Sequence, residues 1–279
     1  MRIASRSTST SLRRFGAAAA IGLLLLAGCA SQAPLAPDRI AAIVASPDRS
    51  AADRTNDIRR KPVEMLAFVG VRPGMVALDV SAGRGYTTEL IARAVGPAGK
   101  VYGQTPPRDA SRTPPAQPEG AAAPPAASAA VTAPPPALAD RARHPATSHI
   151  VPVVRRFEEP VPPEVADAGL DLATLMFNYH DFGHLGVDRA RMNSAIFKAL
   201  RRGGIYVIAD HAGRGGTGIS ESGTLHRVEE AFVVTEVEAA GFRLTARGDF
   251  MRNPADPRDR NTPEPPMPKD EFVLKFVKP

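Results

Sequence analysis

The chain has 279 residues, 43% hydrophobic and 23% charged, with 28 Pro, 23 Gly, no Trp and a single Cys, which excludes a collagen-like, disulfide-framed or wholly disordered protein. One cysteine forms neither an intramolecular disulfide nor a CxxC zinc site, so packing must hold the fold. The formal charge of +6 invites a nucleic-acid partner, but Arg2, Arg6, Arg13 and Arg14 lie within the first 14 positions, and without them 31 basic residues face 29 acidic ones. So balanced a remainder gives no electrostatic reason to expect a polyanion.

In chain order, residues 1–14 are basic and Ser/Thr-rich, residues 15–26 form a short apolar run, and Leu26-Ala27-Gly28-Cys29 closes it. The run falls short of the about 20 apolar residues that a permanent membrane helix needs, so residues 1–28 read as a signal peptide. The ending resembles the bacterial lipoprotein box. That resemblance implies cleavage before Cys29, lipidation of its thiol and a membrane anchor in the cell envelope; Ala30 in the next position implies the outer membrane. Residues 29–55, rich in Ala, Pro, Asp and Ser, read as a tether.

Residues 56–279 read as an α/β domain. The apolar spacing of Val63, Leu66, Ala67 and Phe68 predicts a helix over 62–69, opened by Pro62. A strand at 75–80, a Gly-containing loop at 81–85, a helix at 86–95 and a strand at 100–104 open a parallel sheet. Residues 105–145 then hold 11 Pro and 13 Ala in 41 positions, a composition predicting a disordered insertion that buries too little surface to order itself. Alternation resumes with strands at 149–154, 170–177 and 205–209 and helices at 187–200 and 223–240. Strands at 242–250 and 271–277 have no helix between them and are expected to pair as an antiparallel hairpin.

The string Leu78-Asp79-Val80-Ser81-Ala82-Gly83-Arg84-Gly85-Tyr86 resembles the first motif of class I S-adenosylmethionine (SAM) dependent methyltransferases. Lys61-Pro62-Val63-Glu64-Met65-Leu66, Arg72-Pro73-Gly74, Gly96-Pro97-Ala98-Gly99-Lys100-Val101-Tyr102, Asn178-Tyr179-His180-Asp181 and Ala209-Asp210-His211 extend the likeness to a bacterial group of predicted methyltransferases. The resemblance covers roughly residues 57–104 and 149–279. It implies a Rossmann-like seven-stranded sheet, mostly parallel with an antiparallel last strand, and SAM as cofactor.

Ligands of open α/β sheets sit outside the carboxyl ends of the strands. There Gly83 and Gly85 allow close approach, and the helix that Tyr86 opens offers N–H groups to a carboxylate. Asp79, Ser81, Gly83, Gly85, Tyr86, Gln104 and Asn178 are thus the expected cofactor residues, with Asp79 toward an ammonium and Tyr86 and Tyr179 toward the sulfonium. Ser81 stands where the motif has glycine, acceptable at a negative φ. Gln104 stands where these enzymes place an acid on the ribose. As a dinucleotide fingerprint the loop has Thr88 in place of the third glycine.

Methyl transfer needs alignment, plus a base when the nucleophile arrives protonated. His180 and His211, at the ends of the fourth and fifth strands, are the expected bases, oriented by Asp181 and Asp210. With His226 they put three histidines near one rim, able to serve as a base or as a metal site; Gly183 speaks against a helical His180/His184 pair. The acceptor is a small molecule of unknown identity. An envelope location conflicts with a cofactor made in the cytoplasm, which leaves a second expectation: a non-catalytic envelope lipoprotein retaining a weakened site.

Overall fold

The computed structural model describes residue 1 and residues 33–107, 136–261 and 267–279; the signal segment with Cys29 and residues 108–135 of the insertion lie outside the described residues. Seven strands form in the expected places: β1 (Val76–Val80), β2 (Lys100–Thr105), β3 (Ile150–Val154), β4 (Leu170–Met176), β5 (Leu200–His211), β6 (Arg243–Gly248) and β7 (Glu271–Val277). They pair in the order β3-β2-β1-β4-β5-β7-β6, with β7 antiparallel to both neighbours and the first five strands parallel. This is the sheet that the sequence predicts, terminal hairpin included. Strand β5 is longer than expected, because Leu200 pairs with Leu170 ahead of a bulge and the pairing then continues from Ile205.

Alternating side chains divide the core into two layers. On one face Ala77, Leu172 and Val207 pack beneath α1 (Pro37–Val44), α3 (Pro62–Val69) and α4 (Tyr86–Val95). On the other, Leu78, Ala173 and Tyr206 pack beneath α7 (Arg189–Ala199) and α8 (Glu230–Ala239). The described chain contains no helix long and apolar enough to cross a membrane.

Two stretches depart from expectation. Residues 36–55, expected to be tether, carry α1 and the first half of α2 (Ala51–Arg60). Ile40 and Ile43, one helical turn apart, are both buried, and Ser50 caps α2 by accepting from the Asp53 N–H. The second departure is α5 (Leu138–Arg143), inside the expected disordered insertion, with Leu138 and Arg141 buried. Its six residues contain too little apolar area to declare themselves. What orders α5 is a set of charged partners far away in sequence.

Candidate functional site

Where the chain leaves β1, β4 lies beside it in parallel register, Val80 against Leu175, so the turn at 81–85 and the segment following Met176 open on the same side. Between them, roofed by α2 and α5, is a cleft of about 250 Å³. Its wall includes Asp79, Ser81, Gly83, Tyr86 and Asn178 of the expected set, together with Asn56, Arg60 and Arg141.

Asp79 sits at the base, 2% exposed, and accepts from Thr88 Oγ1 at 2.6 Å and Thr174 Oγ1 at 2.8 Å. Burial outweighs these bonds and pushes its carboxyl up to about 6. Gly83 has φ 55°, and a Cβ added there would meet nothing within 4 Å, so its face is open to the cleft. Gly85 differs. A Cβ there would come within 2.7 Å of Leu138 Cδ1 and 3.0 Å of Arg141 Cδ, so the chain's own α5 fills the approach that its missing side chain permits.

Arg141 is the residue that closes the roof. It is 2% exposed, its Nε donates to the Arg84 carbonyl in the loop at 2.7 Å, and its two terminal nitrogens grip Asp53 at 2.8 and 2.9 Å. Glu89 pairs with the same guanidinium, and Arg93 carries the network on to Asp48. Burial favours a neutral Asp53, but Arg141 and the Ser50 hydroxyl prevail and hold its carboxyl below the usual range. Arg60 supplies the other cation of the cleft. Its guanidinium lies 4.0 Å from the Phe177 ring centroid and 6.0 Å from that of Tyr86, and burial beside Arg59 brings it down to about 10, still charged at neutral pH.

Several expectations are corrected here. Ser81 has φ 56°, a left-handed conformation, where a negative φ was expected to excuse the missing glycine. Gln104 does not face a ribose: it is fully buried, its Oε1 accepts from the Ser81 N–H at 2.8 Å and its Nε2 donates to the Arg155 carbonyl at 2.6 Å. Tyr86 lines the cleft, but its hydroxyl donates to Asp57 at 2.6 Å, and that bond together with burial raises its pKa. Tyr179 belongs to the core, bonded to Glu236 and Asn193.

The histidine rim lies at the carboxyl ends of β4 and β5. Asp210, fully buried, accepts from the His180 N–H at 2.7 Å, pairs with His180 Nδ1 at 2.6 Å and accepts from the His211 N–H at 2.7 Å. His180 Nε2 lies 3.1 Å from Asp181 Oδ1. Burial alone would favour a neutral His180, yet the two carboxylates overcome it and push the ring up to about 9, so it is protonated at neutral pH and has no lone pair to offer as a base. Asp181 is held well below the usual range, since His180 and His226 outweigh its burial. His211 is the opposite case. Burial lowers its pKa, with Glu271 Oε1 3.0 Å from Nδ1 opposing only in part, so the ring is neutral and can accept a proton. The rings of His180 and His211 are 5.3 Å apart. Residues 181–184 do form a short helix, α6 (Asp181–His184); His184 turns to Ser222, its Nδ1 2.9 Å from the hydroxyl.

Sequence reading missed Asp53, Arg60 and Arg141. A Ser50-x-x-Asp53 cap and the adjacent Arg59-Arg60 pair are local signals for the first two. Arg141 had none, because its partners lie 88, 52 and 57 positions away.

No protein-family model and no curated protein matches the sequence. Solved structures do. A SAM-dependent methyltransferase from Aquifex aeolicus matches with a TM-score of 0.52 at 15% identity, over 88% of this chain and 100% of its own. A Haloferax volcanii methyltransferase complex matches at 0.51 and 14%, over 88% and 99%. An arsenic(III) SAM methyltransferase from Chlamydomonas reinhardtii matches at 0.50 and 18%, over 88% and 74%. At such identities the likeness establishes the fold: a Rossmann-like, seven-stranded α/β sheet shared with class I SAM-dependent methyltransferases.

Proposed function

We propose that the chain is a SAM-dependent methyltransferase acting on a small-molecule acceptor, held at the cell envelope through a lipid on Cys29. The observation that supports the activity is the cleft beside β1, where an open glycine face, a buried carboxylate and an arginine converge at the start of α4. Asp79 suits the ammonium of a methionine moiety, and Arg60, with the N–H groups that open α4, suits its carboxylate. Bound there, SAM would supply an electrophilic methyl group on a sulfonium. Asn178 sits at the same wall and reaches toward the histidine rim, its Nδ2 donating to Asp181 at 3.1 Å. His211, neutral at that rim, takes the proton that a hydroxyl or protonated amine must lose, help worth about 10² to 10⁴ in rate. His180, already protonated, orients and donates. The support for the anchor is the Leu-Ala-Gly-Cys ending alone.

Titration calorimetry of the purified protein with SAM tests the reading. One site per chain is expected, and Gly83→Val, which projects a side chain into the cleft from a left-handed backbone, should abolish it. Absence of binding at millimolar SAM, or equal binding by the variant, overturns it.

A further inference from the structure

Beyond Asn178, on the far side of its bond to Asp181, three ligand atoms meet. His180 Nε2 and His226 Nδ1 each lie 3.1 Å from Asp181 Oδ1, and all three atoms fall within 4.8 Å of one another. We propose that His180, Asp181 and His226 bind a first-row divalent transition-metal ion of the zinc, iron(II) or manganese class beside the methyl-donor cleft.

The donor set points to that class. Two imidazoles and one carboxylate suit borderline ions, whereas magnesium and calcium prefer oxygen shells. Bonds of about 2.0 to 2.1 Å place neighbouring ligand atoms roughly 2.8 to 3.0 Å apart in octahedral and roughly 3.3 to 3.4 Å in tetrahedral geometry, and the two measured separations of 3.1 Å lie between them, within a small adjustment of either.

The surroundings are built as a metal site requires. Metal-bound histidines donate their second ring N–H to a carboxylate or carbonyl, which fixes the tautomer. His180 Nδ1 has that partner in Asp210, itself pinned by two backbone N–H groups, and the arrangement turns Nε2 toward Asp181 and His226; the ion takes the place of the Nε2 proton, which is released to solvent on binding. Asn178 holds Asp181 Oδ2 and leaves Oδ1 to the cluster. His226 has φ 51°, a strained conformation that costs on the order of 1 kcal/mol and is kept where surroundings over-determine it. Its ring meets those of His180 and His184 edge-on at 5.6 and 5.7 Å. The His226 side chain is 40% exposed and that of Asp181 24%, so solvent reaches the site. Three protein ligands leave positions for water or an acceptor, the pattern of catalytic rather than structural sites. Its use in methyl transfer rests on the proposed function: an ion there would lower the pKa of a coordinated hydroxyl or thiol, so the acceptors favoured are those able to chelate or ligate through such a group.

The test uses the full chain, freed of any affinity tag and treated with chelator, without SAM. Calorimetry with Zn²⁺ and visible absorption with Co²⁺ should show one ion per chain and ligand-field bands of a site with mixed nitrogen and oxygen donors. His226→Ala and Asp181→Asn should each weaken binding at least tenfold with an unchanged circular dichroism spectrum. His184→Ala, whose ring nitrogen belongs to Ser222, should leave it within about twofold. Failure of the wild-type chain to bind Zn²⁺, Co²⁺, Mn²⁺ or Fe²⁺ at one per chain overturns the proposal, as does equal affinity in the His226 and Asp181 variants. SAM takes no part in the titration, so loss of the methyltransferase reading leaves this result standing.

Discussion

The two halves of the cleft region are assembled in different ways. The donor half is closed by opposite charges drawn from far apart in the chain: Asp53 from α2, Glu89 from α4 and Arg141 from α5, each at most 8% exposed at its side chain. The histidine rim is assembled mainly from short runs at strand ends, Asn178 to Asp181 and Asp210 with His211, to which His226 and Glu271 are added from a distance. Removing one member of the first leaves a buried charge without its counter-ion, a loss to the whole fold. In the second, Asp210 is bonded by backbone N–H groups as well as by a ring, so the framework survives loss of a side chain and the cost falls on chemistry.

The sharpest way to break this contrast is at Arg141. Arg141→Met leaves Asp53 and Glu89 buried, and should lower stability by about 3 to 5 kcal/mol in denaturant unfolding. Arg143→Ala, at a side chain 73% exposed, should change it by less than about 0.5 kcal/mol. Equal effects would mean that the network carries no special weight. The pH dependence has a definite sign. Asp53 is depressed below its unfolded value of 3.8, so its contribution is complete above that value and is lost as pH falls through the lower folded one; the deficit of the Arg141 variant should shrink in the same acid range.

A smaller effect is expected at Asp79. Its pKa of about 6 lies above the unfolded 3.8, so its charge burdens the fold above pH 6 and the burden lifts as pH falls. Cation binding has the opposite sense, since only the ionised carboxylate attracts an ammonium. At pH 5 about one tenth remains ionised, so SAM affinity should drop roughly tenfold between pH 7.5 and 5, and Asp79→Asn should remove that dependence. A flat profile in the wild type would move the ammonium elsewhere.

The smallest effect is at Ser81. Glycine would relieve a left-handed φ worth on the order of 1 kcal/mol, but returns most of that as unfolded-chain entropy, so Ser81→Gly should shift stability by less than about 1 kcal/mol. A shift in the denaturation midpoint worth more than 2 kcal/mol would show that the serine is held by more than its backbone.

The same contrast explains what could be read in advance. The strand positions, the terminal hairpin and the glycine turn follow from periodicity and local motif and the seven-stranded sheet from the resemblance, and Asp79, Gly83 and Asn178 could be placed at the cleft because it opens at the strand ends of a parallel sheet. Arg141 was invisible because a six-residue helix in a Pro/Ala-rich stretch has no signature of its own. Gln104 was placed by position and misread in role, since a buried amide is indistinguishable in sequence from one that faces a ligand. The division between His180 and His211 also lay beyond the sequence. Both are histidines at strand ends, and what separates a fixed cation from a proton acceptor is the local balance: burial prevails at His211, helped by Lys269 and opposed by Glu271 and Asp210, whereas at His180 the bonds to Asp181 and Asp210 prevail over burial.

The Gln104 amide has one more consequence. With one end on the Ser81 N–H and the other on the Arg155 carbonyl just past β3, a single side chain ties the turn over the cleft to the outer edge of the sheet. The turn therefore cannot loosen by itself. The Ala82 N–H adds a bond to the Gln104 carbonyl, so displacing the turn at Ser81 and Ala82 costs its bonds to β2 or carries β2 and the β3 edge with it.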